Sequence, residues 1–232
     1  IKECDWSSDV CSSDLETAKK NDVLMAEAMW TRYLPQMDIA RQLVANGDLG
    51  EVELVISNFC QANLHIARLF TQGLGNAMID MGIYPIALSQ QFLGNPSEIQ
   101  AFARMHENNM DEEVHVFMRY ANGARSNFVE SARTFLPHWA GISGSKGSIT
   151  FGEPWFAPTS IRFTNNDLYD EGNVWKDNLG IPGHEGLVHE VNAFAQFVDQ
   201  GLRESPIYNK NDSLSNIDTA VKIAEKIGTS FK

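Results

Sequence analysis

Two hydrophobic periods alternate along this chain, and the place where they change divides it. The segment ETAKKNDVLMAEAMW, residues 16–30, predicts the end of a helix, a turn at Asn21-Asp22 and a short buried strand from Val23 to Ala28. Helix followed by strand is the rhythm of a parallel α/β sheet. A helix is predicted next, from about Leu34 to Asn46, with Gly47 as its stop. From Glu51 the pattern changes. EVELVISNF predicts a strand, and NAMIDMGIYPIALSQQFLG predicts a mostly apolar helix that stops at Gly94. Strands then come in succession. SEIQAFARM alternates, and EEVHVFMRYANGARSNFVESAR predicts two strands around Asn122-Gly123, a dipeptide suited to a type I′ turn. HWAGISGSKGSITF repeats the device around GSKG, and PTSIRFTN adds a further strand. The segment NDLYDEGNVWKDNLGIPG reads as the longest loop. Two helices close the chain: one over about His184 to Gly201, the other from an N-cap at Asp212 or Ser213 to near Gly228.

This order predicts a remnant of an α/β domain at residues 16–33. An α+β domain follows at residues 34–232, with an open mixed, mostly antiparallel sheet carrying helices on one face. The other face of such a sheet stays wet or is free to meet a partner. Val114, Val116 and Met118 fall on one face of their strand and Phe117 on the other, which favours a homodimer formed sheet to sheet.

Residues 1–15 fit none of this. CDWSSDVCSSDL has no apolar period and lacks the basic and apolar regions of a signal peptide. Cys4 and Cys11 match no common zinc spacing. Asp5 to Leu15 can instead be encoded by the DNA of a common short-read sequencing adapter. The leader is therefore expected to be an assembly artefact without defined structure, and the natural sequence to begin near Glu16 in mid-gene.

Composition narrows the function. With 43% hydrophobic and 21% charged residues the chain reads as globular, and it contains no long apolar run that would span a membrane. A net charge of −12 argues against nucleic acid and anionic membranes as partners. Cys60 is the only cysteine outside the leader, which suggests a reducing, cytoplasmic setting. His184 and His189 bracket HEGLVH, one residue too long for the H-E-x-x-H zinc motif, so no metal site is expected.

Candidate chemistry lies in two segments. In GNAMIDMGIYP, Asn76, Asp80 and Tyr84 recur every four residues and form one polar stripe on an otherwise apolar helix. A carboxylate in such a helix must be hydrogen-bonded or neutralised. The stripe is either a structural Asp80–Tyr84 hydrogen bond or a pair able to move a proton. Pro85 removes a helical N–H and would loosen the helix beside Tyr84. In AEAMWTRYLP, Trp30 and Arg32 follow the predicted strand, where ligands gather in open α/β sheets. Either they meet a cofactor or substrate, or Trp30 packs a domain junction and Arg32 pairs with an acidic neighbour.

The blocks LMAEAMWTRYLPQMDIARQLVANGDLGEVELVISNF and MIDMGIYPIALSQQFLG, with the later SGSKGSI, HEVNAFAQFVDQGLRESP and NDSL, resemble the Gfo/Idh/MocA oxidoreductase family. The nearest branch is that of dimeric dihydrodiol dehydrogenases and NADP-dependent xylose dehydrogenases. The likeness runs from about Glu16 to Gly228. It implies a Rossmann domain, of which residues 16–33 would be the last helix–strand unit, followed by a substrate-binding and dimerisation domain. It further implies hydride transfer between NAD or NADP and a sugar or trans-dihydrodiol carbon. Tyr84 matches the family's general acid/base and Asp80 the aspartate of the same D-x-G-x-Y motif. Trp30 and Phe59 match substrate-lining aromatics. Asn76 is expected with them at the substrate, and Arg32 at the cofactor. The family's glycine loop and its Glu-Lys-Pro lysine are absent, and Lys19 and Lys20 do not replace that lysine. Tight nicotinamide binding by this chain is therefore not expected. The alternative is a cofactor-free sugar-binding or dimerisation module derived from such an enzyme.

Overall fold

The computed structural model describes residues 8–71 and 75–229, with side chains from residue 13 onward. Helix α1 (Ser8–Lys20) opens it. A stretch expected to lack structure through residue 15 is thus helical from Ser8. Extending an existing helix costs far less than nucleating one, so the helix-favouring ETAKK segment can carry Ser and Asp residues ahead of it. Residues 1–7, including Cys4 and Trp6, and the Cys11 side chain lie outside what is described.

The strand predicted from Val23 to Ala28 does not form. Val23 is half exposed. Met25 N–H reaches only the Arg203 carbonyl, at 3.5 Å. A strand exists by virtue of a hydrogen-bonded neighbour, and among the described residues this segment has none. A 3-10 turn, Trp30–Tyr33, leads into helix α2 (Pro35–Ala45), which has Pro35 in its first turn.

One eight-stranded sheet organises the rest, in the order β2-β3-β4-β1-β5-β6-β7-β8. Its strands are β1 (Val52–Cys60), β2 (Glu98–Met105), β3 (Asp111–Arg119), β4 (Arg125–Ser131), β5 (Ala140–Gly144), β6 (Gly147–Phe151), β7 (Ser160–Asn165) and β8 (Asn173–Lys176). Only β1 and β4 run parallel. Strand β8 falls inside the segment read as a loop. At four residues it is too short to show a period. The turn at Asn122-Gly123 is not type I′, since Asn122 keeps a negative φ and only Gly123 is left-handed, at 90°. Gly123 N–H bonds Tyr120 C=O and Tyr120 N–H bonds Ala124 C=O, which gives a type I turn closed by a glycine bulge.

Burial alternates along the strands. Val114, Val116 and Met118 are buried, while Phe117 is 52% exposed. The covered face carries helix α3 (Ile83–Leu93) and helix α5 (Lys210–Ile227). Helix α5 is capped by Asn209, earlier than predicted, with Asp212 Oδ2 accepting the Asn209 N–H in return, and ends at left-handed Gly228. Helix α4 (Leu187–Asp199) packs beside the Trp30 turn instead. It leaves Leu187, Val191, Phe194 and Val198 exposed along one side.

Candidate active site

Five segments meet at one cleft of about 270 Å³. Strand β1 ends there with Phe59, and helix α3 contributes Tyr84. The 3-10 turn supplies Trp30, the loop after β6 supplies Phe156, and the start of α4 with the turn before it supplies His184, Leu187 and Glu190. The walls are aromatic. Phe59 stacks on Tyr84 at 5.5 Å and on Phe156 at 4.3 Å between ring centres. Trp30 meets Phe156 edge-on at 6.5 Å and stacks on His184 at 5.8 Å. Each such pair contributes about 0.5–1.5 kcal/mol beyond area burial, so the walls are stiff before any ligand arrives. Backbone anchors hold them in turn. Trp155 Nε1 donates to Asn58 C=O at 2.9 Å, and Gln36 Nε2 donates to Ala157 C=O at 2.7 Å, on either side of Phe156. Gly186 lies so close to Pro158 and Trp30 that a Cβ there would come within 2.6 Å of the proline ring.

Larger hollows exist, about 400 Å³ on the open sheet face beside Phe117 and about 520 Å³ between α1 and the loop before α5. The 270 Å³ cleft is set apart by its aromatic walls around a half-buried phenol.

Helix α3 is entered through a wide, five-residue π turn, Met78–Gly82. Such turns recur at functional sites. Here the wide turn lies just where Pro85 lacks an N–H and where its ring would crowd the carbonyl four residues back. The turn undoes the stripe that a 3.6-residue period predicts. Asp80 Oδ1 pairs with Arg68 Nη1 at 2.6 Å, and no Asp80–Tyr84 hydrogen bond forms. Asp80 does not line the cleft. Asn76, expected at the substrate, is buried and caps the helix: its Oδ1 accepts the Ile79 N–H at 2.8 Å. Beside it Asp111 Oδ2 accepts the Met78 N–H at 2.7 Å. The sequence stripe is thus split into a cap, an ion pair and a phenol.

Arg32 is placed away from the cleft. It is buried, its Nη2 donates to Ala87 C=O at 2.9 Å, and its guanidinium lies over the Tyr208 ring at 5.1 Å. Its guanidinium is turned into the core, where burial lowers its pKa and Nε finds no partner, and it does not line the cleft. Trp30, Phe59 and Tyr84 are brought together as predicted; Asn76, Asp80 and Arg32 are not.

Burial pushes the Tyr84 phenol pKa up, and the Asp80 and Glu190 carboxylates push it further, against the Trp30 side chain. Tyr84 therefore keeps its proton at neutral pH and is a donor there. Glu190 is raised to about 7 by burial, with Glu27 adding to the shift and the Met29 N–H opposing it. Sequence reasoning missed Phe156, His184 and Glu190. Glu190 did leave a signal, as a lone carboxylate at the second position of the otherwise apolar Leu187, Glu190, Phe194, Phe197 series on α4.

The model of the GFO/IDH/MocA C-terminal domain matches residues 37–150. That match identifies residues 37–150 as a C-terminal domain of the Gfo/Idh/MocA family. Among curated proteins, trans-1,2-dihydrobenzene-1,2-diol dehydrogenase of Mus musculus is 26% identical over 217 residues, covering 92% of this chain and 65% of the relative. The Bos taurus enzyme of the same name is 27% identical over 225 residues, with the same coverage of both chains. The chain thus spans about 65% of the length of these relatives. Among solved structures, an NAD binding oxidoreductase of Klebsiella pneumoniae superposes with a TM-score of 0.81 at 19% identity, covering 96% of this chain and 69% of that one. These likenesses bear out the α+β sheet architecture. A dinucleotide cradle, by contrast, does not fit the described residues: Arg32 is committed to the core and no glycine-rich turn links a strand to a helix N-terminus.

Proposed function

We propose that this chain is the substrate-binding and dimerisation part of an NAD(P)-dependent oxidoreductase acting on the hydroxyl carbon of a sugar or trans-diol. The observation that carries the reading is the Tyr84 phenol, presented between Trp30 and Phe59 in an apolar cleft. The aromatic walls take the carbon skeleton of the substrate and exclude water around it. Tyr84 Oη holds a proton at the reacting oxygen and gives it up when a carbonyl is reduced; in the reverse direction the phenolate form takes the proton of the hydroxyl. Trp30 and Phe59 are substrate-binding groups in this reading. Asp80 acts on Tyr84 through its charge, and Asn76 by capping the helix that carries it. A nicotinamide presented at the cleft mouth would supply the hydride exchange. The exposed apolar side of α4, at Leu187, Val191, Phe194 and Val198, starts at the cleft with Leu187 and suits a cofactor-bearing portion. The open sheet face, with Phe102 at 67% and Phe117 at 52% exposure, suits a second copy of the chain, and a cytoplasmic setting suits its free Cys60.

The test is turnover of aldoses and cyclic trans-diols, with NAD and with NADP, by the enzyme bearing this chain, in Tyr84→Phe and wild-type forms. Positioned acid–base catalysis contributes about 10²–10⁴-fold, so kcat is expected to fall by that factor while the ring still packs. Near-normal kcat in a folded Tyr84→Phe protein would make the tyrosine structural. Binding of substrate without turnover in the wild type would favour a cofactor-free binding module.

A further inference from the structure

Glu190 reaches the cleft from the first turn of α4 and lines it together with the aromatic residues. Its Oε1 is buried without a protein partner. The backbone N–H of Met29, just ahead of Trp30, favours the charged form of Glu190. A buried acceptor with no partner costs about 1–3 kcal/mol unless something occupies it. Of the residues lining the cleft, Ala28, Phe59, Phe156 and Leu187 offer no side-chain hydrogen bond. Tyr84 and Glu190 are the two oxygen-bearing side chains among the lining residues.

We propose that Glu190 is a specificity-determining residue that accepts a hydrogen bond from the second hydroxyl of a vicinal diol while Tyr84 holds the reacting one. The proposal rests on the oxidoreductase reading above and deepens it. A site built around an acceptor rejects an analogue that lacks the matching donor, because the acceptor is then left unpaired in an apolar wall. A diol is thereby separated from a mono-alcohol of the same skeleton. The ionised carboxylate is the stronger acceptor. The groups that face it are Tyr84 from α3, Tyr33 and Glu27 from the chain before α2, and His184 from the turn before α4. Its pKa, raised by burial to about 7, places the change of form near neutrality.

The experiment uses the 232-residue chain itself and needs no cofactor. Binding of trans-1,2-cyclohexanediol and of cyclohexanol is followed by NMR at the Trp30 indole and Met29 amide resonances, at pH 6 and pH 8. The wild type is expected to prefer the diol by roughly 10- to 100-fold, as a hydrogen bond to a charged group provides. The preference should be larger at pH 8. Glu190→Gln should cut the preference and remove its pH dependence, and Glu190→Ala should abolish the preference, with the cyclohexanol affinity of both close to wild type. Preference retained in Glu190→Ala would overturn the proposal, as would equal binding of both probes by the wild type, which leaves the oxidoreductase reading standing. Failure of either probe to move the Trp30 and Met29 signals of the wild type would overturn both.

Discussion

Glu130 sits on β4 with no exposed surface, beneath the wide turn that begins helix α3, and Asp111 on the adjacent β3 is equally buried. Burial raises the Glu130 pKa well above the ordinary carboxyl value, and the charges of Asp111, Glu113 and Asp80 raise it further. Burial raises Asp111 too, although the Met78 N–H opposes it. The folded chain therefore holds a proton on this pair that the unfolded chain releases near a pKa of about 4.3. Stability is full below that value and falls as pH rises through the window up to the folded pKa. Within the window one proton changes stability by about 1.4 kcal/mol per pH unit. For a chain of this size that is about 3–6 °C in Tm per unit. Glu130→Gln keeps the shape of the protonated side chain and removes its titration. Thermal unfolding by circular dichroism, at fixed ionic strength between about pH 5 and pH 8, should show a shallower fall of Tm in the variant. The difference in slope should approach that figure, and at the alkaline end the variant should be the more stable protein. Glu190 titrates in the same range in both proteins and cancels in the comparison. Parallel Tm profiles for the two proteins would refute the reasoning.

Gly186→Ala places a Cβ within 2.6 Å of Pro158 and 3.1 Å of Trp30, neither of which can yield easily. The variant should lose about 1–3 kcal/mol in urea unfolding and bind cleft ligands more weakly, because α4 must shift away from Trp30. Arg32→Met should behave differently. It removes the bond to Ala87 C=O and the contact with Tyr208, so the cost should appear in urea unfolding, while the affinity of cleft ligands for the folded protein stays close to wild type.

Much of the architecture follows from local pattern alone. The two-residue alternation of β2, β3 and β4 places each side chain on its face, and Gly47, Gly94 and Gly228 end their helices wherever the prediction relied on them. These features need only neighbours a few residues apart, which the sequence specifies directly. Trp30, Phe59 and Tyr84 were legible as candidates for one site because their motifs carry a family resemblance, and the fold places them at one cleft. What the sequence could not supply depends on partners far along the chain. Val23 to Ala28 has the composition of a strand but no neighbour to bond, so it stays irregular. The even stripe of Asn76, Asp80 and Tyr84 assumes an ideal helix, and the π turn beside Pro85 redirects Asp80 to Arg68. Arg32 is drawn to Ala87 C=O and Tyr208, distant in sequence, because a buried guanidinium must find acceptors wherever packing leaves them. Glu190, more than a hundred residues from Tyr84, joins it at one cleft only once α4 has packed against the Trp30 turn. Periodicity and capping are properties of a local segment. Which polar groups end up facing each other is decided by the packing of the whole chain.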